Sequence, residues 1–422
     1  EVSFPIILAW RLWKANALGN FDPYITVLRA CGYLIRKGPA TPQERWEEAG
    51  GYSPSTLASN IAALICAAEF LESRDEKPSA EFVRSYADFL ESHVEKWTVT
   101  NSGTLVPGIM RHYIRINPAI SRDGATGDED PDSGVLVLAN QRPGDRVAYP
   151  AKEIVDAGFL ELVRFGVRMA GDPLIEDSLK VVDAVLKVDT PKGPCWKRYN
   201  HDAYGQRDDG SSFLGWGVGR PWPLLTGERA TYELAAGRDI DAFLLAIENF
   251  TTGIGLIPEQ IWDGPDMPTK YLCFGGPTGA ANPLMWAHSE YVKLLRSVVD
   301  NRVFDLIEPV AQRYRNEHPR PVIEVWKINR QVRRVPAGGL LRVQASSQFV
   351  LHWSIDGWKT VQDTPSTATV VGVEFADIQL SAAQAGPLVF TFFWPLDDNW
   401  QGVDYHVEVT HAVKTTSSSR KV

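Results

Sequence analysis

Two short acidic segments of the chain contain carboxyl groups suited to acid–base chemistry. In the first, Glu47 and Glu48 follow Trp46 in a polar stretch, and in the second, Glu259 precedes Trp262 among glycines and prolines. An apolar ring and a second negative charge both disfavour ionisation, so such groups hold a proton at higher pH. Two carboxyl groups flanking a glycosidic bond can serve as proton donor and as base. Each segment alone is a common pattern, because most acidic pairs in polar loops are simply solvated.

Further carboxyl groups cluster at 128–132, inside a stretch at 98–150 that is rich in Gly, Pro, Asn and Asp. Clustered carboxylates can bind calcium, although a solvated acidic loop is the commoner case. Calcium as a structural ion is therefore left open, and no cofactor is expected to be required. The four cysteines form no Cys-x-x-Cys pair, so no zinc site is expected.

The bulk composition restricts the partners of the protein. The 422 residues suit one large domain with a smaller one. A net charge of −9 without a long basic run argues against nucleic acid as a partner. No apolar stretch approaches the roughly 20 residues of a membrane helix, so no membrane association is expected. The 14 tryptophans favour a cleft that grips sugar rings, although most tryptophans in any protein are core residues.

The elements that must position these residues are mainly helices. Apolar side chains recur at helical spacing through the first three hundred residues, and Ser53 before Pro54 is a good helix start. Both acidic segments fall between predicted helices. The predicted helices cover 4–18, 22–37, 54–68, 80–97, 151–169, 173–187, 211–235, 239–251 and 283–299, with a short one over 304–315.

The pattern changes after Glu317. Short alternating segments separated by Gly, Pro and Asp turns predict a small β-sandwich over 317–413. The residues at 414–422 are rich in Ser and Thr and are expected to form a mobile tail. The predicted strands cover 322–326, 340–343, 349–353, 370–375, 388–394 and 405–409.

Several longer motifs resemble glycoside hydrolase family 15, in the branch of bacterial glucoamylases and glucodextranases. The segment 44–56 resembles the catalytic-acid segment of that branch, and 257–263 resembles its catalytic-base segment. The segment 217–229 resembles its substrate-binding arginine loop. Two further matches are Arg198-Tyr199-Asn200-His201-Asp202 and Pro283-Leu284-Met285-Trp286-Ala287-His288.

The resemblance implies a role for individual residues. Glu47 would be the general acid, and Glu259 the general base that activates water on the opposite face of the sugar. Glu48 and Arg220 would hold hydroxyl groups of the sugar next to the bond. Part of the cleft wall would be formed by Trp46, Trp196 and Trp222. The implied product is β-D-glucose, released by inversion from non-reducing ends of α-1,4-linked glucans.

The resemblance also implies an (α/α)6 barrel of twelve helices, of which residues 1–316 supply nine. We therefore expect a mainly α fold, in which a barrel lacking its first three helices precedes the β-sandwich. A second polypeptide, the N-terminal portion of the same precursor, would complete the barrel. The substrate class implies a secreted or periplasmic protein, although no signal peptide is visible.

Alternatives remain open at this stage. Glucodextranase (α-1,6) and trehalase activities compete with glucoamylase activity, because specificity depends on loop shape beyond the scissile bond. A carbohydrate-binding protein without catalysis is a different class, and the presence of both carboxylates argues against it. A phosphorylase on a similar barrel would not need the base Glu259. The sandwich could bind polysaccharide through Trp326, Trp353, Trp358, Trp394 and Trp400, or these residues could be core.

Overall fold

The computed structural model describes residues 1–118, 126–317 and 323–411. The predicted tail at 414–422 lies outside these residues, as does most of the predicted boundary between helices and strands. Ten α-helices lie in the described part: α1 (Ser3–Lys14), α2 (Tyr24–Lys37), α3 (Pro54–Ser73), α4 (Lys77–Thr98), α5 (Leu160–Phe165), α6 (Pro173–Leu186), α7 (Pro223–Ala235), α8 (Asp241–Phe250), α9 (Met285–Asp300) and α10 (Glu308–Ala311). A π-helical turn, Gln312–Glu317, follows α10.

The odd-numbered helices form the inner row of the helical region. α1 packs on α3, α3 on α5, α5 on α7 and α7 on α9, while α2, α4 and α8 each pack on the outside of an inner helix. The middle of this row is more deeply buried than its ends, since 16 of the 20 residues of α3 are buried, whereas α1 and α9 have 4 buried residues each. Successive inner helices therefore curve around a common core, and the loops between helices carry the two acidic segments.

α3 corrects the expectation that the chain has no apolar stretch of membrane-spanning length. Among the described residues this one helix is long and apolar enough to cross a bilayer by length and composition. However, 89% of its most apolar window is buried inside the protein. Packing against α1, α4 and α5 accounts for its composition.

Two predicted helices are much shorter than expected, and glycines explain both. Over 151–169 only a short 3-10 turn, Ala151–Glu153, and α5 form, and α5 ends at Gly166, whose φ is +100°. Over 211–235 only α7 forms, with Pro223 in its first turn. A Cβ at Gly217 would lie 1.8 Å from the Gly205 carbonyl oxygen, so this stretch packs as irregular backbone instead.

The strand-rich region, Ile323 to Thr410, has strands at five of the six predicted positions and folds into two packed sheets. The prediction over 370–375 is wrong for 370–373, which form a turn at Gly372, where φ is +71°, and the strand begins at Glu374. One sheet has the order β11-β10-β14-β16-β8, with β15 beside β14, and the other has the order β12-β13-β9-β7. Side chains of both sheets share one core. The strands are β7 (Ile323–Lys327), β8 (Arg334–Pro336), β9 (Leu340–Ala345), β10 (Val350–Ser354), β11 (Gln362–Pro365), β12 (Thr367–Ala368), β13 (Glu374–Gln379), β14 (Leu388–Trp394), β15 (Asn399–Trp400) and β16 (Tyr405–Thr410).

The described part of the helical region also contains three small hairpins. Two of them lie within the stretch at 98–150 that is rich in Gly, Pro, Asn and Asp. The hairpins pair β1 (Val99–Thr100) with β2 (His112–Tyr113), β3 (Val135–Val137) with β4 (Ala148–Pro150), and β5 (Lys187–Thr190) with β6 (Gly193–Trp196).

The tryptophans of the sandwich divide between core and surface. Trp326 and Trp353 are buried, and Trp394 packs against the same core. Trp400 is half exposed, and Trp358 stacks on His352 at the surface. The core interpretation is thus correct for three of the five.

The four cysteines are all unpaired. Cys31, Cys66 and Cys195 are buried, whereas Cys273 is exposed. Burial raises the pKa of the Cys31 and Cys195 thiols to about 12.

Candidate active site

The first acidic segment lies between α2 and α3, at residues 38–52, and is called the acid segment below. Backbone hydrogen bonds pair Thr41 with Gly51, at 2.8 and 2.9 Å, and close its base. Within it, the Glu47 amide donates to the Glu44 carbonyl at 2.8 Å. The backbone of Glu47 is left-handed, with φ +59°, which costs about 1–2 kcal/mol for a residue with a Cβ. Such strain persists only where the surroundings fix it, commonly at functional sites.

This turn sends the two neighbouring glutamates in opposite directions. Glu47 is exposed and lines a cavity of about 300 Å³. Glu48 is turned inward, where its Oε1 accepts from Arg198 at 2.9 Å and from Asn140 at 3.2 Å. Its Oε2 accepts from Arg115 at 3.0 Å and from the Tyr199 hydroxyl. Each oxygen thus has two protein donors, so Glu48 fixes the arginines of the site; its predicted contact with a sugar hydroxyl stays a prediction.

Arg198 connects the acid segment with the rest of the site. It is 4% exposed and forms a fork to Asp202, with both distances at 2.8 Å, besides its bond to Glu48. Its guanidinium lies 5.2 Å from the Trp46 ring and 4.7 Å from the Tyr204 ring. Arg198 was not predicted as a site residue, although its Arg-Tyr-Asn-His-Asp motif was a signal that could have identified it.

Three tryptophans form an aromatic wall beside these charges. The ring of Trp46 lies 5.6 Å from Trp222 and 5.7 Å from Trp286. Its indole nitrogen donates to Asp156 at 3.2 Å, which fixes the ring. Trp46 and Trp222 are 7% and 6% exposed, whereas Trp286 is 39% exposed. The most accessible face of the wall therefore belongs to Trp286, a residue that was not predicted even though its motif was recognised.

Glu259 lies in the loop between α8 and α9, residues 251–284, called the base segment below. It is 8% exposed, its amide donates to the Ala281 carbonyl at 2.8 Å, and its Oε1 accepts from Gln260 at 3.2 Å. Burial raises the pKa of Glu259, while a hydrogen bond from Tyr204 and the positive charge of Arg198 oppose that rise. A carboxylate with a raised pKa is a stronger base than an ordinary glutamate. Tyr204 and Arg198 thus join Glu259 to the acid segment.

The matches with known proteins cover the same residues. Residues 2–296 match the family model "Glycosyl hydrolases family 15", which is more than half of the chain. The chain belongs to glycosyl hydrolase family 15. A glucoamylase from Clostridium sp. (strain G0005) is 42% identical over 315 residues, which are 74% of this chain and 41% of that protein. A cycloisomaltooligosaccharide glucanotransferase from Niallia circulans is 29% identical over 98 residues, 20% of this chain and 10% of that protein.

A solved structure of a family 15 enzyme aligns over the same share of the chain. This bacterial glucoamylase, complexed with acarbose, has a TM-score of 0.65 and 42% identity, over 74% of this chain and 42% of that chain. The protein is thus a glucoamylase homologue within this family, with a helical barrel of the α/α type and a strand-rich C-terminal region. The chain spans about two fifths of the length of the glucoamylases it matches.

Arg220, predicted from the arginine loop of the family, is deeply buried. It is 2% exposed, and its Nη1 and Nη2 pair with Asp263 at 2.5 Å and Asp208 at 2.9 Å. Its Nε donates to the Gln206 carbonyl at 2.8 Å. All three nitrogens therefore contact protein, so Arg220 fixes the base segment through Asp263, and its contact with sugar stays a prediction.

Trp196, also predicted for the cleft wall, points away from the other tryptophans. Its indole nitrogen donates to Asp183 of α6 at 2.9 Å, and its ring stacks on Phe243 of α8. Only its backbone meets the wall, where its carbonyl accepts from the Trp222 amide at 2.8 Å. Strand β6 orients this side chain between helices, an outcome that the sequence motif alone does not reveal.

The carboxylates at 128–132 each make a separate contact with the protein. Asp128 pairs with Arg334 at 2.9 Å, Glu129 accepts from the Gly127 amide at 3.1 Å, and Asp132 bonds Thr100. In the part of the chain that the structure describes, no group of three or more His, Cys, Asp or Glu side chains could hold a metal ion. Calcium binding therefore stays a prediction without a candidate ligand set.

Proposed function

We propose that this family 15 chain carries the catalytic carboxylates of an exo-acting, inverting α-glucoside hydrolase. The observation that supports it most is the connection of two segments distant in sequence. The exposed Glu47 comes directly after Trp46, a residue of the aromatic wall. The buried Glu259 interacts with Tyr204 and Arg198, and the Arg198 guanidinium lies beside the rings of Tyr204 and Trp46. Such a pair can act on opposite faces of one sugar ring.

In the proposed reaction, Glu47 protonates the glycosidic oxygen, since it is exposed and lines the cavity. Glu259 removes a proton from water that attacks the anomeric carbon from the other face. Inversion requires room for that water, roughly 6.5–9.5 Å between the two carboxyl groups. The aromatic wall would pack against the apolar face of the sugar, and β-D-glucose would leave from a non-reducing end.

The test combines two variants with a stereochemical measurement. We expect Glu47→Gln and Glu259→Gln each to lower kcat by about 100- to 10,000-fold, the usual contribution of general acid–base catalysis. The matched control is Glu81→Gln, an exposed glutamate of α4. Proton NMR of the first product formed should show the β-anomer. Undiminished hydrolysis by Glu47→Gln, or the α-anomer as first product, would contradict the proposal.

The linkage that is cleaved is proposed to be α-1,4, in line with the glucoamylases that the chain resembles. Rates of β-glucose release from maltotriose, isomaltotriose and trehalose separate this from the glucodextranase and trehalase alternatives. A protein that binds maltose and never cleaves it would instead support the alternative of a catalytically silent carbohydrate-binding protein.

The helical row is proposed to belong to an (α/α)6 barrel that another polypeptide, the N-terminal portion of the precursor, completes. Exposed large apolar side chains support this, because they concentrate on α1 and α9 at the two ends of the row. In the described residues, none occurs on α3 to α7. A secreted or periplasmic location is proposed only from the polymeric substrate class.

A further inference from the structure

The first turn of the sandwich presents two buried basic side chains to the helical region. This turn joins β7 to the next strand and is closed by backbone hydrogen bonds between Lys327 and Arg330, both at 2.9 Å. The two side chains are 5% and 1% exposed. Burying a cation is costly unless it is fully hydrogen-bonded, so the partners of these two groups are informative.

Lys327 meets the end of α2, where the acid segment begins. Its ammonium group donates to the Ile35 carbonyl at 2.7 Å, to the Gly38 carbonyl, and to the Tyr86 hydroxyl at 3.2 Å. All three partners are uncharged, and burial lowers the pKa of Lys327 well below its usual range. The last carbonyls of a helix have no partner within the helix. Lys327 therefore caps α2 from another part of the fold and fixes the first residue of the acid segment.

Arg330 lies near the other end of the acid segment. Its guanidinium donates to Glu324 at 2.7 Å and lies 5.5 Å from the Trp97 ring. Trp97 stacks on Tyr52, the last residue of the acid segment, with centroids 4.5 Å apart. Burial raises the pKa of the Tyr52 phenol, and the positive charge of Arg330 opposes that rise. The Tyr52 backbone also pairs with Asn117, with both bonds at 2.9 Å.

We propose that this turn is a two-point clamp that positions the acid segment for catalysis. Lys327 acts through Gly38, and Arg330 acts through Trp97 and Tyr52, so both are positioning residues. Between these two ends, the backbones of Thr41 and Gly51 pair with each other. Fixing the two ends therefore also restrains Glu47, which lies in the loop that this pair closes. The proposal rests on the proposed role of Glu47 as the acid. It gives the sandwich a function in the reaction besides packing.

The test removes the Lys327 donors while keeping the shape of its side chain. In Lys327→Met we expect faster hydrogen–deuterium exchange at the amides of the acid segment, including those of Thr41, Glu44 and Glu47, because the opening of the segment becomes easier. We also expect kcat to fall about 10- to 100-fold, since a displacement near 1 Å can cost that much. KM should change less than kcat, because Trp222, Trp286 and Arg198 lie outside the acid segment.

The matched control breaks a different bond of the same interface. Arg36 of α2 donates to the carbonyls of Val371 and Gly372 at 3.1 Å each. Arg36→Met should lower stability without loosening the acid segment. If Arg36→Met loosens it as much as Lys327→Met, or if Lys327→Met leaves its exchange unchanged, the clamp is disproved.

A second variant tests the clamp if Lys327→Met does not fold, and the exchange measurement distinguishes failure of the clamp from failure of the proposed function. The second variant is Arg330→Lys. It keeps the charge but removes the guanidinium, whose Nη1 donates to Glu324 and to the Val325 carbonyl, and it should accelerate exchange at Tyr52 and its neighbours. Unchanged exchange there overturns the proposal. Exchange is measured without turnover. An active Glu47→Gln would therefore refute the proposed function while the exchange result would still decide whether the clamp exists.

Discussion

Glu47 and Glu48 are neighbours in sequence with opposite environments. Glu47 itself has a left-handed backbone, so Glu47 is exposed to a cavity while Glu48 accepts four hydrogen bonds inside the protein. A proton donor must reach substrate, and a residue that orders two arginines must not move. The backbone strain at Glu47 is thus the local cost of placing both functions in consecutive residues.

Tyr204 is a residue whose hydrogen bond directly affects the pKa of Glu259, the proposed base. Its hydrogen bond lowers the pKa of Glu259, which burial raises. Glu259 must be ionised to act, so activity is lost as the pH falls through its pKa. Tyr204→Phe removes an opposing contribution, so the pKa should rise further. We expect the acid limb of kcat/KM to move to higher pH, as measured by a pH–rate profile.

A surface tyrosine provides the control for this experiment. Tyr291 also donates to a glutamate, Glu248, at 2.7 Å, and both lie outside the site. Tyr291→Phe should leave the profile unchanged. An acid limb that stays in place or moves to lower pH in Tyr204→Phe would show that Tyr204 does not stabilise the Glu259 anion.

At the scale of elements, the acid segment depends on one glycine at its base. Gly51 has φ +145°, and a Cβ there would lie 2.1 Å from the Asn117 carbonyl oxygen. Because that oxygen is backbone, the clash cannot be relieved by a side-chain rotation. Gly51→Ala should lower the free energy of unfolding by about 1–3 kcal/mol, measured by urea denaturation, and should lower kcat as well.

A substitution of Gly108 distinguishes the cost of a steric clash from the cost of a left-handed backbone. Gly108 also has a positive φ, +86°, yet nothing lies within 4 Å of a Cβ there. Gly108→Ala should therefore cost no more than about 1–2 kcal/mol, the left-handed penalty alone, and leave kcat unchanged. Equal losses in both variants would mean that the close approach at Asn117 is unimportant.

Helices with continuous apolar faces were predictable from the sequence, as were five of the six predicted strands; the exception is 370–375, where a turn precedes the strand. α2, α3 and α6 form within a few residues of their predicted ranges. The failures at 151–169 and 211–235 arise where glycines allow backbone to contact backbone, as at Gly217, because periodicity does not report such approaches.

The site residues also divide into those that the sequence predicted and those that it did not. Local motifs predicted Trp46, Trp222, Glu48 and Glu259 as site residues, and the fold connects these four through Arg198 and ring contacts, while their roles stay predictions. They missed Arg198, because its contact with Glu48, 150 residues away in the sequence, is not visible in its own motif. They also gave no orientation for Trp196, because the motif contains no information on which face of β6 it occupies.

At the scale of the whole molecule, the two ends of the inner helical row have an apolar surface. On α1, Leu8 is 58% exposed, and on α9, Val292 and Val299 are 63% and 78% exposed. Apolar patches of this kind usually mark an interface. We expect the chain by itself to elute from a sizing column as more than a monomer and to lack full activity.

Polar substitutions test whether the exposed apolar faces of α1 and α9 cause this self-association. Leu8→Gln with Val292→Gln should reduce the self-association, whereas Val147→Gln, at a site 44% exposed in a different region, should not. A stable, fully active monomer of the unaltered chain would show that no further polypeptide is needed to complete the barrel.

The exposure of Cys273 has a practical consequence. The other three thiols are buried, and burial raises the pKa of each, which suppresses the reactive thiolate. A maleimide dye would therefore attach at one position without any engineered cysteine. That position is in the base segment, where the Cys273 carbonyl accepts from Gly276, whose own carbonyl accepts from Trp262. The native chain thus offers a single fluorescent reporter three residues from the backbone contact that supports the loop of Glu259.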